Sequence, residues 1–205
     1  MALSQARKSI ESLHAAARNQ TGVSDVLEIS SKSPTELGVS LSAFNLMIRT
    51  VKNEREFSLE CAYQSSKVFE HGGPFTDLLN AKSIDAKRDR RLTEHGRLIG
   101  FRFFGSNWGL QPLTAFYDWL YINALHKHPA LAEEVLTYPA FSDIAFNPER
   151  SFNCQAYAAA LYVALRQRGL LTKEMLGDQQ EYLKVVNACS VSNAHEDTEI
   201  QRRLD

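Results

Sequence analysis

Apolar positions three and four apart open the chain. Ile10, Leu13, Ala16 and Ala17 fall on one side of residues 3–19, which predicts an amphipathic helix ended by Thr21-Gly22. The period then changes to two. Residues 26–30 alternate and predict a short strand, and Ser33-Pro34 breaks the chain. Val39, Leu41, Leu46, Ile48 and Thr50 keep a period-two register, so residues 39–50 read as β. A turn at Asn53-Glu54-Arg55 leads to a third strand at 56–58. From Ser58 the spacing is helical as far as Gly72-Gly73, and Pro74 suits the first turn of a helix over 75–80. Residues 101–109 form an aromatic, glycine-rich loop. Thr114 is expected to cap an apolar helix over 115–128, stopped by Pro129. A helix at 130–137, a polar loop at 142–150, an alanine-rich helix at 155–168 closed by Gly169, and a last helix at 172–186 follow. The pattern predicts an α+β fold, mainly α, with a small β-sheet in the N-terminal third packed on a helical body. Residues 1–188 are expected to form one domain, with 189–205 a polar, disordered tail.

Composition narrows the function classes. The 205 residues are 44% hydrophobic and 23% charged, enough apolar material for a core. No apolar run approaches the roughly 18 residues that a membrane span needs. A net charge of −1 excludes a bulk polycation, so nucleic-acid binding would need a local basic patch. Lys82, Lys87, Arg88, Arg90, Arg91, Arg97 and Arg102 supply one, against Asp85, Asp89 and Glu94; a solvated face is the plainer reading. Cys61, Cys154 and Cys189 are too few and too far apart for a disulfide framework or a zinc pair. The N-terminus lacks the apolar core of a signal peptide, so the cytoplasm is the expected compartment.

The helix from Ser58 carries the densest chemistry. At about 100° per residue, Glu60, Tyr63, Gln64 and Lys67 share one stripe. A solvated polar face would explain it, yet Tyr and Gln are less usual there than Lys, Glu and Arg. Asp118 is either a first-turn dipole partner or a polar group in an apolar surround. Trp119 is either core or a ligand contact. Trp108 and Phe104 flank glycines and either stack on a nucleobase or pack on the fold. Asn153, Cys154 and Gln155 stand at a helix start, where free N–H groups suit a pyrophosphate and where Asn153 or Ser151 also suits plain capping. His126 and His128 are two apart and point apart on a helix, so they do not form a metal pair.

Leu41-Ser-Ala-Phe-Asn45, the hairpin-like stretch, and Phe57-Ser-Leu-Glu-Cys-Ala-Tyr-Gln-Ser-Ser-Lys-Val-Phe69 resemble the signature of the NADAR family. Here Lys67-Val-Phe69 is one residue longer than the commonest form, and Cys61 stands where histidine is frequent. Ala115-Phe-Tyr-Asp-Trp-Leu120 and Phe152-Asn-Cys-Gln-Ala-Tyr157 are similar to the branch of antitoxins paired with DarT-type DNA ADP-ribosyltransferase toxins. The resemblance covers about residues 6–186. It implies binding of ADP-ribose-like ligands and cleavage of an N-glycosidic bond, with no cofactor and no metal. It implies catalytic roles for Glu60, Lys67 and Asp118, and substrate contacts from Ser42, Phe44, Tyr63, Gln64, Trp108, Trp119, Asn153 and Gln155.

The chemistry suits those types. Breaking the anomeric C–N bond of ribose passes through an oxocarbenium-like state that needs nearby negative charge and a proton for the leaving base. Glu60 suits either task. Lys67 is expected either to attack the anomeric carbon when desolvated, giving an imine, or to hold phosphate or ribose hydroxyls when charged. The expected activity is removal of ADP-ribose from guanine in DNA, as antitoxin to a DNA ADP-ribosyltransferase. The expected partners are ADP-ribose, ADP-ribosylated DNA with an exposed or single-stranded guanine, and the cognate toxin, with no membrane. Two alternatives stand beside it: an N-glycosidase on a free phosphorylated riboside, and a non-catalytic protein that binds ADP-ribose or toxin.

Overall fold

A computed structural model describes residues 3–50, 54–147 and 151–188. Helix α1 (Leu3–Thr21) buries Ala6, Ile10 and His14, a stripe four residues apart. The expected face differs, since Leu13 is exposed and His14 replaces it inside. The reason is polar: His14 Nε2 lies 2.8 Å from Ser142 Oγ, which makes a buried imidazole tolerable. Strand β1 (Leu27–Glu28) pairs in parallel with the distant β7 (Phe141–Ser142) rather than with its neighbours.

Residues 39–50 are not one strand. Thr35 caps α2 (Glu36–Ser40) by accepting from the Gly38 N–H at 3.2 Å, with Glu36 in the first turn. These local helix-start signals override the alternation at Val39 and Leu41. Only β2 (Met47–Arg49) is extended, and it pairs antiparallel with β3 (Glu56–Ser58) as Ile48↔Phe57. Three strands therefore lie between 26 and 58, but not in one sheet.

Helix α3 (Leu59–Ser66) starts at Ser58, whose hydroxyl accepts from Cys61 N at 3.2 Å. The helix expected as far as Gly72 ends at Ser66. Ser65 and Ser66 hydroxyls both donate to the Ala62 carbonyl, at 3.0 and 2.6 Å, and compete with the helical ladder. Lys67 then turns extended (φ −62°, ψ 132°) and begins β4 (Lys67–Phe69). This strand pairs with β5 (Leu98–Phe103), which continues to β6 (Ser106–Trp108). Gly100 lets β6 approach, because a Cβ there would sit 2.8 Å from the Trp108 carbonyl oxygen. The expected aromatic loop is thus a hairpin.

A 3₁₀ turn at Thr76–Asn80 and two short helices, α4 (Ser83–Lys87) and α5 (Arg91–Glu94), lie between the strands. Pro74 precedes the 3₁₀ turn instead of starting a helix. Helix α6 (Ala115–His126) is buried on nearly every side and runs into α7 (Pro129–Val135), with Pro129 in its first turn. Helix α8 (Gln155–Gln167) packs on α6; α9 (Lys173–Gly177) and α10 (Gln179–Ala188) split the expected last helix. Among the described residues the share of helix is 52% and of strand 13%, so the α+β, mainly α expectation holds. The expected tail, 189–205, lies outside the described residues. No described helix is long and apolar enough to cross a membrane.

Helix α3 is the hub, touching α4, α6, β2, β3, β5 and the 3₁₀ turn. Its cap is doubly used, since Ser83 Oγ also donates to Ser58 Oγ at 2.8 Å. Ser58→Ala is therefore expected to cost about 1–2 kcal/mol through the lost cap, while Ser83 Oγ keeps the Phe44 carbonyl as acceptor at 2.9 Å. Thermal unfolding should register this as a fall in Tm of roughly 2–8 °C.

Candidate active site

A tight turn sets the frame. Ser42 Oγ donates to the Val39 carbonyl (2.7 Å) and accepts from Asn45 Nδ2 (3.1 Å), so this buried hydroxyl serves the turn. The turn leaves the Ala43 backbone free to reach elsewhere. Its carbonyl accepts from Glu60 N at 2.8 Å, satisfying a first-turn donor of α3. Its N–H donates to Gln155 Oε1 at 2.6 Å. Gln155 in turn donates from N and Nε2 to Asp143 Oδ2, at 3.1 and 3.0 Å. Burial raises the Asp143 pKa, hydrogen bonds from Gln155 oppose that, and the Glu28 charge adds to it.

On α3, Glu60 is only 6% exposed, and its Oε1 accepts from Gln64 Nε2 at 2.9 Å. Gln64 Oε1 is buried without a partner among the described residues. Tyr63 lies in an aromatic box, with Phe101 at 5.5 Å, Phe116 at 6.3 Å and Tyr117 edge-on at 5.2 Å. Its hydroxyl accepts from Asn153 Nδ2 at 2.6 Å. Burial drives the Tyr63 pKa up, and the Glu60 and Asp118 charges push the same way.

Lys67 is not on the helical stripe, because α3 has ended. It reaches the same ring from β4, with Nζ 4.9 Å from the Tyr63 centroid. The separation of ~10 Å along a helix axis, expected from seven residues at 1.5 Å each, does not apply. Burial lowers its pKa to about 8; the Glu60 carboxylate opposes the shift and Lys87 adds to it. Among the described residues, neither Glu60 nor Lys67 belongs to an ion pair.

Asp118 is buried on α6 and accepts from Thr114 Oγ1 at 2.6 Å, so Thr114 serves this carboxylate rather than capping the helix. Its charge is felt at Tyr63 and Tyr117. Trp119 faces the other way, and its Nε1 donates to the Leu176 carbonyl at 3.1 Å, tying α6 to α9. Trp108 is 4% exposed and packs on Phe116, Trp119 and Tyr182. Both tryptophans thus brace α6, and Trp108 meets the aromatic box through Phe116, 5.6 Å away. Phe44 is half-buried beneath Lys87 Nζ, 5.3 Å from its ring centroid.

Asn153 does not cap α8, since Cys154 holds that place without a side-chain bond. A pyrophosphate on this helix start would meet the Asp143 carboxylate, which already occupies the Gln155 N–H. Burial pushes the Cys154 thiol up to about 11, against a thiolate role. His128 Nε2 lies 2.6 Å from the Met47 carbonyl oxygen, and no metal-ready group of His, Cys, Asp and Glu occurs among the described residues. Within the basic stretch, Arg90, Arg91 and Arg97 are taken by Glu94, by Asp77 and Asp89, and by Glu70. Lys87 is the cation whose charge reaches Lys67. Lys87 belongs to the expected basic stretch, whereas sequence spacing singled out neither Asp143 nor Tyr117 as site residues; Asp143 comes in through the parallel β1–β7 pairing, which no local pattern announces.

A family model described as NADAR-DarT1, DarT1-associated NADAR antitoxin, matches residues 1–196. No curated protein matches the chain.

The Lys67 environment is testable by NMR titration of lysine side chains. Lys67 is expected to titrate near pH 8, well below surface lysines. Glu60→Gln should lower that value further, because the carboxylate favours the ammonium; Lys87→Ala should raise it. A folded-state pKa below the unfolded one means this site adds stability as pH rises from about 8 towards the unfolded value of about 10.5.

Proposed function

We propose that this chain, which belongs to the DarT1-associated NADAR antitoxin family, is an N-glycosidase that removes ADP-ribose from guanine in DNA and so reverses the action of its toxin partner. The observation that carries this reading is a buried carboxylate, Glu60, whose charge acts on a desolvated lysine, Lys67, held over the Tyr63 ring, with no ion pair between the two among the described residues.

The residues suit the chemistry in turn. A carboxylate in low dielectric stabilises an oxocarbenium-like ribose more than it would in water. Gln64 orients Glu60, and its unpartnered Oε1 suits a ribose hydroxyl donor. With a pKa of about 8, roughly a tenth of Lys67 is neutral at pH 7. That fraction attacks the anomeric carbon; the C–N bond breaks, its electron pair goes to the guanine nitrogen, and Glu60 carries the proton to it. Ring opening then gives an imine on Lys67 that water hydrolyses. Asp118 acts from one layer further back, through the field it places on Tyr63 and Tyr117. Lys87, above Phe44 and beside Lys67, suits the diphosphate of the ADP-ribosyl group.

The direct test is incubation with an ADP-ribosylated oligonucleotide and detection of free ADP-ribose. Glu60→Gln is expected to cost ~10²–10⁴-fold in rate, because glutamine keeps the shape and loses the proton. Lys67→Ala should be nearly inactive, and borohydride added during turnover should trap ADP-ribose on Lys67. Substantial activity in Lys67→Arg with no trapped adduct would leave Lys67 as an electrostatic anchor only. Wild-type binding of ADP-ribose with no release from DNA would favour the binding-only alternative.

A further inference from the structure

Strands β5 and β6 are joined by Phe104 and Gly105, between the paired residues Phe103 and Ser106. Both have positive φ, 44° and 89°. Two-residue turns of this kind favour asparagine, aspartate or glycine first and glycine second. Gly105 meets that demand. Phe104 breaks it, since a bulky side chain is strained in the left-handed region. Packing does not compensate: Phe104 is 62% exposed, more than Ile99 at 54% or Leu3 at 52%. A ring held out in water on a strained backbone is the kind of local conflict that natural proteins keep for a purpose.

Its location gives the purpose. The Phe104 ring lies 6.2 Å from Phe57 and 4.6 Å from Phe103. Phe57 immediately precedes Ser58, the cap of α3, and Phe103 is two residues along β5 from Phe101, which packs on Tyr63. The tip is therefore linked to the aromatic box around Tyr63 through Phe103 and Phe116, whose rings are 6.2 Å apart. Its neighbours Gly105, Ser106 and Asn107 are exposed, as is Arg102, which bonds to Asn107 Oδ1 at 3.0 Å and to no carboxylate among the described residues. An exposed aromatic ring backed by Phe57 and Phe103 and flanked by polar residues and Arg102 suits a nucleobase followed by its phosphate.

We propose that Phe104 is a base-stacking residue that grips the DNA strand next to the modified guanine while Arg102 meets its backbone. This rests on the proposed action on ADP-ribosylated DNA. The turn is strained because an asparagine there would hold the hairpin but not the base.

The test compares wild type, Phe104→Asn and Phe104→Trp on three readouts. These are release of ADP-ribose from a modified single-stranded oligonucleotide, release from ADP-ribosylated guanosine, and anisotropy of an unmodified oligonucleotide. Phe104→Asn should raise Tm by about 2–4 °C through relief of the turn. It should lose roughly 5- to 150-fold in oligonucleotide binding and turnover, the contribution of one stacked base, and leave the nucleoside reaction unchanged. Phe104→Trp should keep oligonucleotide binding. Equal oligonucleotide binding by wild type and Phe104→Asn overturns the inference and leaves the glycosidase reading intact. An equal loss on nucleoside and oligonucleotide also overturns it, placing the ring in the reaction itself. If wild type releases nothing from either substrate, the glycosidase reading fails, and the anisotropy comparison still decides Phe104; a wild type that binds no oligonucleotide overturns the Phe104 inference alone.

Discussion

The site depends on the backbone of one small residue. Ala43 gives its carbonyl to Glu60 N and its N–H to Gln155 Oε1, so α3 and α8 are tied to the same turn. Everything that follows in α3 is thereby placed: Glu60 in the first turn, Tyr63 facing α6, and Gln64 beneath Glu60. Ser42 and Asn45 stiffen the turn, and Asp143 holds Gln155 from behind. Few side chains present a better geometry for such a bridge than glutamine, which donates and accepts at once.

The second constraint is electrostatic. Glu28, Glu60 and Asp118 are carboxylates buried in a chain of net charge −1. Each has polar support: Glu28 from Ser142 Oγ and Ile144 N, Glu60 from Gln64, Asp118 from Thr114. Such groups are costly to keep and are tolerated when hydrogen-bonded. Glu28 and His14 meet on Ser142, next to Asp143, so the β1–β7 pairing connects the first helix to the back of the site.

Helices with strong periodicity and clear ends, such as those at 3–21 and 155–167, were legible from residue spacing. So were the β2–β3 hairpin and the residues Glu60, Tyr63 and Gln64 as one group, because they lie within two turns of one helix. Lys67 was legible as a candidate through its residue type and the family-like motif, but not through its position. Two serine hydroxyls ended the helix, and pairing with Phe101 across β5 carried the lysine back to the Tyr63 ring. Asp143 and Lys87 came from loops and short helices whose sequence carries no period. Trp108, whose glycine neighbours suggested stacking, is buried against Phe116, Trp119 and Tyr182, a packing that no local spacing announces. Sequence alone determined some of what acts within a few residues, such as the helix start at Ser58 and the Glu60–Gln64 spacing, together with the chemical repertoire. Only the tertiary structure decided which groups lose water and which charges face each other. Those depend on contacts between residues dozens of positions apart, and no local periodicity encodes them.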